Sequence, residues 1–247
     1  MPTYTNPTGN VTATSGDDSI IVNTPWTEAT TVDAADGHDT LLVQFEDTGP
    51  VSYYVSDSSN AGFLNAYIQR GPQASFVSLT VNHVEDVTLH GTSNNDIFSL
   101  YIGPNTASSG LAVSLDGAAG QDTLSFNWSQ LTTGLSFQVN GSTITSDFGS
   151  FTNFETFGIR AGSGNDTITT GDGDDFIATG AGVDTVNAGA GNDGIEITAS
   201  GGTIDGGAGD DYFVIYDLTT AFAGSIIGGD GQDKLTLQAT TMTSDML

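Results

Sequence analysis

Between residues 161 and 196 an aspartate returns every nine residues, at Asp166, Asp175, Asp184 and Asp193. Two places after each stands a branched apolar residue: Ile168, Ile177, Val186 and Ile195. The pattern runs on through Asp211 before Phe213 and, after an interruption, Asp233 before Leu235. One block, ITASGGTID, puts Gly202 in the aspartate place yet keeps Ile204. The apolar place survives where the carboxylate is lost, so the two have separate jobs. The eighth place of each nonamer builds a core, and the sixth does something additional. Carboxylates and free turn carbonyls are hard oxygen donors, and a cation taking six to eight such ligands is Ca2+.

Nine residues fit neither a helical turn nor a hairpin, but they fit a six-residue turn followed by a three-residue strand. Glycine fills the second and fourth places: Gly162 and Gly164, Gly171 and Gly173, Gly180 and Gly182, Gly189 and Gly191, Gly207 and Gly209. Such glycines permit positive φ and close backbone approach. Two nonamers then make one coil of a flattened spiral, and successive coils pair as parallel strands about 4.8 Å apart. The expected fold is all-β, a parallel β-roll or β-helix solenoid stabilised by calcium ions in its turns. One aliphatic side chain per nine residues is a thin core, too thin to offset the entropy of ordering a glycine-rich chain. An ion held by the turns supplies the missing stabilisation, which makes metal binding and folding one equilibrium.

The composition agrees. The 247 residues carry 30 acidic side chains against three basic ones, Arg70, Arg160 and Lys234, for a net charge of −27. Nucleic acid and anionic membranes are excluded as partners, because binding them needs Lys and Arg. A compact chain of this charge repels itself unless a cation neutralises it. With no Cys there are no disulfides, no thiolate metal sites and no Cys nucleophile. The first residues, MPTYTNPTGNVTATSGDD, have neither the basic nor the apolar segment of a Sec signal peptide. No apolar run is long enough to cross a bilayer, so direct membrane insertion is not expected.

A longer repeat underlies the short one. VNHVEDVTLHGTSNND at 81–96 aligns without gaps on FTNFETFGIRAGSGND at 151–166, setting Glu85 on Glu155, His83 on Asn153 and His90 on Arg160. DAADGHDTL at 33–41, DGAAGQDTL at 116–124 and GGDGQDKL at 228–235 recur as a second element, each preceded by an aspartate turn, at Asp18, Asp96 and Asp211. Three related units follow, at 1–90, 91–160 and 161–247. The third holds the expanded nonamer array and stops where the others go on to a strand-rich stretch, as in a segment or the end of a longer repetitive protein.

The nonamers resemble G-G-x-G-x-D-x-U-x, the RTX repeat of the haemolysin-type calcium-binding family. The resemblance covers 161–214 and 228–236 closely, and 13–21, 34–42, 91–99 and 117–125 as single degenerate copies. It implies a parallel β-roll in which turns n and n+2 on one edge share a Ca2+ between sixth-place carboxylates and backbone carbonyls of the glycine turns. Carried over, one edge holds Asp166, Asp184 and the Gly202 place; the other holds Asp175, Asp193 and Asp211. Full sites are expected at 166/184, 175/193 and 193/211, and a weak or absent one at Gly202. Asp39, Asp122 and Asp233 are expected to anchor isolated ions. Asp18 and Asp96 are weaker candidates; in the second, Asn94 replaces the fourth-place glycine. The family is typically exported by type I secretion, with that machinery as a partner.

Other chemistry is poorly supported. His38, His83 and His90 fall on places that vary among the repeats and read as surface polar residues. The chain has no H-E-x-x-H, no G-x-S-x-G and no EF-hand loop. Glu85 and Glu155 read as structural residues or as further cation contacts. Trp26, Trp128 and the phenylalanines are expected to fill larger coils, unless exposed rings offer a sugar platform. The function expected is that of an extracellular or bacterial cell-surface protein, structural or adhesive, that folds on binding Ca2+ and is not an enzyme. Its adhesion partner would be a cell-surface polysaccharide or other copies of the chain. The alternative is the calcium-dependent C-terminal region of a secreted hydrolase or toxin.

Overall fold

Short runs of β-branched and aromatic residues, cut every few positions by glycine or aspartate, can pair only with runs of the same length one coil away. The computed structural model describes residues 1–23, 29–45, 49–56, 64–70, 77–101, 112–147, 149–198, 201–216 and 222–238. Trp26 and the terminal TSDML lie outside them. The described residues form strands and turns without a helix. They divide into two units, 1–125 with 148–154, and 126–147 with 155–247.

The second unit holds the nonamer array. Along the chain its strands alternate between two sheets, so each coil gives one strand to each. Thr167–Thr169 pairs with Val183–Ala190, which pairs with Gly201–Ala208 and then Ala223–Asp230, all parallel. In the other sheet Thr156–Arg160, Phe176–Ala178, Gly194–Ile197, Tyr212–Tyr216 and Lys234–Gln238 stack in the same way. The register sets eighth place on eighth place: Ile168 on Val186 on Ile204, and Ile177 on Ile195 on Phe213 on Leu235. All except Leu235 are buried. Leu235 is half exposed because it lies on the edge strand of its sheet, with no coil over it among the described residues.

The first unit uses the same parallel stacking, through Thr3–Thr5, Ser19–Val22, Thr40–Val43, Asp86–His90, Ala112–Asp116 and Gly149–Thr152 in one sheet. Its other sheet departs from the expected spiral. Leu64–Arg70 runs antiparallel to Val51–Ser56 on one side and to Val77–Val84 on the other, so the strand-rich insert is a meander set into a parallel sheet, not a larger coil. In the second unit Ser136–Asn140 and Thr143–Ser146 form a hairpin in the same manner.

The aromatic residues go inward at these inserts. Tyr53 stacks on Phe98 with ring centroids 4.3 Å apart in the first unit, and Phe126 stacks on Trp128 at 4.2 Å in the second. Trp128, Phe126, Phe137, Phe98 and Tyr53 are all buried, so none of these rings is a surface for sugar stacking. They thicken the core where the nonamer pattern is interrupted.

Close backbone stacking leaves little room at the turn glycines. At Gly207, φ is +103° and an added Cβ would lie 1.9 Å from the Gly189 carbonyl oxygen of the coil beneath. Gly171 has no such φ, and its Cβ would meet only Val139 Cγ1 at 3.5 Å. G207A is therefore expected to cost upwards of about 2 kcal/mol, from left-handed strain plus the clash, and G171A well under 1 kcal/mol. Thermal denaturation of the two variants in calcium separates them.

Candidate metal centre

The sixth-place aspartates stand at or just before the starts of their strands, and all but the exposed Asp233 are buried although ionisable. Asp39, Asp166, Asp175, Asp184, Asp193 and Asp211 expose at most 3% of their surface. One carboxylate oxygen of each has a protein partner. Oδ1 of Asp184 accepts from the Asp166 N–H at 3.0 Å, Oδ1 of Asp193 from Asp175 at 2.8 Å, and Oδ1 of Asp211 from Asp193 at 2.9 Å. The bond crosses one full coil, 18 residues, each time.

The rows extend beyond the array. Asp233 accepts from the Asp211 N–H at 3.1 Å, so it is the fourth member of the row 175/193/211 and not an isolated turn. At their near ends, Asp175 accepts from Phe157 and Asp166 from Leu135, each at 2.7 Å. In the first unit Asp39 accepts from Asp18, and Asp122 from Asp96, each at 2.7 Å. The three recurring aspartate pairs of the long repeat, 18/39, 96/122 and 211/233, therefore make one and the same hydrogen bond.

The other oxygen of the carboxylate is different. Oδ2 of Asp39, Asp166, Asp175, Asp184, Asp193 and Asp211 is buried and has no hydrogen-bond partner among the described residues. Thr170 and the Gly171 N–H lie close enough to Asp175, and Thr179 to Asp184, to moderate the rise in these carboxyls, but none makes a hydrogen bond to Oδ2, and the two hydroxyls donate to the carbonyls of Ala188 and Gly180. None of the six carboxylates is paired with a cation among the described residues; Arg160 is spent on Glu196 at 3.8 Å and on the face of Phe176. A buried carboxylate oxygen without a donor is costly, and proteins keep such atoms where an ion or a proton completes them. In the chain without ions, burial pushes Asp166, Asp175 and Asp184 up to about 6 and Asp193 up to about 7. Burial raises Asp39 and Asp211 as well.

The carboxylates stand in rows, one per coil. No three His, Asp or Glu side chains converge among the described residues. An ion here would complete its shell with backbone carbonyls, which suits a hard cation that accepts many oxygen ligands. The Gly202 place breaks its row. It stacks on Asp184 and beneath Gly224, so two successive coils lack a carboxylate there. No side chain could be added at 202, since Cβ would lie 2.0 Å from the Asp184 carbonyl oxygen.

Two features escape the nonamer reading. Glu85 stands at the sixth place over Asp39 and accepts the Asp39 N–H at 2.6 Å, extending the row 18/39/85 with a longer carboxylate. Its sequence counterpart Glu155 instead sets its carbonyl against Gly173. Second, the fifth-place Asn and Asp side chains form an outer ladder running the other way: the N–H groups of Val183, Asn192 and Asp210 donate to Asn165, Asp174 and Asn192. That ladder was visible as a recurrence of Asn and Asp before the sixth place, but turn preference alone accounts for those residue types.

His38 is an exposed surface residue, as its variable place suggests, whereas His83 and His90 are half-buried and partnered. His83 Nδ1 contacts Asp33, and that hydrogen bond holds the Asp33 carboxyl below its ordinary value. At the equivalent place Asn153 donates to Asp116 at 2.7 Å, and both His83 and Asn153 have φ near +60°. An amide serves where the imidazole does, so the place asks for a donor and not for acid–base chemistry. His90 lies 3.4 Å from Asp116, and its counterpart Arg160 pairs with Glu196.

Residues 160–195 and 203–214 match the family model of the RTX calcium-binding nonapeptide repeat, in four copies. These residues are RTX repeats. They bind calcium as a class, and the gap in the match, 196–202, falls on the block that carries Gly202. The turns of Asp39, Asp122 and Asp233 lie outside the RTX match although the hydrogen bonding of their carboxylates is the same. No curated protein matches the chain.

Proposed function

We propose that the chain is a calcium-folded segment of a secreted or cell-surface protein, with a structural or adhesive role. The observation that carries this reading is the set of six buried carboxylate oxygens without protein donors among the described residues, ranged along the turns of an RTX-type solenoid. In this reading Asp166 with Asp184, Asp175 with Asp193, and Asp193 with Asp211 hold Ca2+, helped by carbonyls of their glycine turns, and Asp233 joins the last row. Asp39 and Asp122 hold further ions in the first unit. Calcium supplies positive charge that offsets burial of the carboxylates; the chain's own N–H groups orient them by fixing Oδ1.

The net charge of −27 keeps the ion-free chain expanded. Where calcium is scarce, as inside a cell, the chain stays open and suits export by a type I machinery; outside, calcium closes it. The test is fractionation of the producing cells, with the chain followed by antibody. Recovery from the medium or the cell surface, in a protease-resistant form that chelator makes sensitive, is the expected result. Retention in the cytoplasm as a folded species would overturn the reading.

A further inference from the structure

Two sixth-place aspartates differ from the six with a bare oxygen. Asp18 is fully buried and Asp96 is 1% exposed, yet both oxygens of each are occupied. The Thr14 N–H donates to Asp18 Oδ2 at 2.7 Å and its hydroxyl to the same oxygen at 2.9 Å. The Thr92 N–H donates to Asp96 Oδ2 at 2.6 Å and its hydroxyl at 3.1 Å. Oδ1 of Asp96 accepts from the Val51 N–H at 2.6 Å.

Thr14 and Thr92 stand four residues before their aspartates, at the second place of the nonamer. In the array that place is glycine, at Gly162, Gly171, Gly180, Gly189 and Gly207. Glycine has no hydroxyl to turn back on the carboxylate, and there Oδ2 stays bare. Both threonine turns thus have their oxygens occupied, and all five glycine turns of the array with a buried aspartate leave Oδ2 bare.

We propose that Thr14 and Thr92 close their turns in place of an ion, so that Asp18 and Asp96 hold no calcium. A threonine in place of the second-place glycine relieves an RTX-like turn of its need for metal. The inference rests on the calcium reading for the glycine turns and adds that threonine converts such a turn into one satisfied by the chain itself. An ion at Asp96 would have to displace two charge-assisted hydrogen bonds, one of them from a backbone N–H.

Gly171 allows the reciprocal test. It is the second-place residue of the Asp175 turn, its φ lies outside the left-handed region, as do those of Thr14 and Thr92, and an added Cβ meets only Val139 Cγ1 at 3.5 Å. G171T is therefore expected to cap Asp175 as Thr92 caps Asp96. Calcium stoichiometry of the full chain is measured by equilibrium dialysis, and strand signal in chelator by circular dichroism. The expected result is one calcium fewer than wild type, with more strand signal retained in chelator. T92V, which removes the hydroxyl at nearly constant shape, is expected to lose strand signal in chelator relative to wild type. A G171T chain that binds the wild-type number of ions, or fails to fold in calcium, would overturn the inference; so would a T92V chain indistinguishable from wild type in chelator. A wild-type chain that binds no calcium would instead overturn the reading on which the inference rests.

Discussion

D193N is expected to lower stability in calcium and to raise it in chelator. Asp193 is an inner member of the row 175/193/211/233: its carboxylate accepts the Asp175 N–H at 2.8 Å, and its own backbone N–H donates to the Asp211 carboxylate at 2.9 Å. Asparagine keeps an oxygen to accept the Asp175 N–H but removes the charge that a cation would meet. A site saturated at 100 times its Kd adds about 2.7 kcal/mol to folding, and Asp193 takes part in two. For a chain of this size the loss of both is a fall in Tm of roughly 10–20 °C in calcium. In chelator the sign reverses. Burial, aided by the neighbouring charges of Asp175 and Asp211, raises the Asp193 carboxyl to about 7, so at pH 8 its ionised form opposes folding. The amide carries no such penalty. Calorimetric melts of wild type and D193N, with calcium and with chelator at pH 8, give the four values needed. An equal loss in both media would mean that the side chain acts only through its hydrogen bond.

The second large effect is acid substituting for calcium. A carboxyl raised by burial contributes stability that is fully present below its unfolded pKa, about 3.9, and is lost as pH climbs through the folded value. Asp166, Asp175 and Asp184 at about 6, and Asp193 at about 7, therefore place the loss between pH 4 and pH 7 in the ion-free chain. In chelator, strand signal is expected to grow as pH falls from 8 to 5. Further acidification works the other way. Asp33 is held low by His83; burial tends to raise Asp116, but hydrogen bonds from Asn153, Ala118 and His90 bring it lower. Groups of that kind contribute stability above the unfolded pKa and lose it as pH falls below 4. Ion-free stability thus has its maximum near pH 4 to 5. With saturating calcium the same fold persists to pH 8, and calcium affinity weakens below about pH 7 as protons compete for the same oxygens. A chelated chain equally folded at pH 5 and pH 8 would contradict the burial of these charges.

Periodicity made the array legible. The eighth place predicted the buried stripe from Ile168 to Phe213, because each of those residues has only one direction in which to escape water. The alternation of edges followed from two nonamers per coil, and the paired turns 18/39, 96/122 and 211/233 followed from internal repetition. Three things did not follow. The meander of Val51–Ser56, Leu64–Arg70 and Val77–Val84 carries the same β-branched composition as a parallel strand, and strand direction is set by connection length and not by residue type. Glu85 has the wrong chain length for an aspartate row, and only the stacking of Val87 on Leu41 shows that it occupies one. The threonines at 14 and 92 were in plain sight, four residues before Asp18 and Asp96. Asn94 drew the doubt about Asp96, whereas the threonine two residues earlier is what satisfies its oxygen.

The central claim is that these turns close on an ion and that the fold depends on it. A calcium titration of the full chain at pH 7.5, followed by far-ultraviolet circular dichroism and reversed with excess chelator, tests it directly. The account predicts a weakly structured chain that gains its strand signal cooperatively with calcium and loses it again on chelation. A spectrum already rich in strand in excess chelator, and unmoved by calcium, would contradict it.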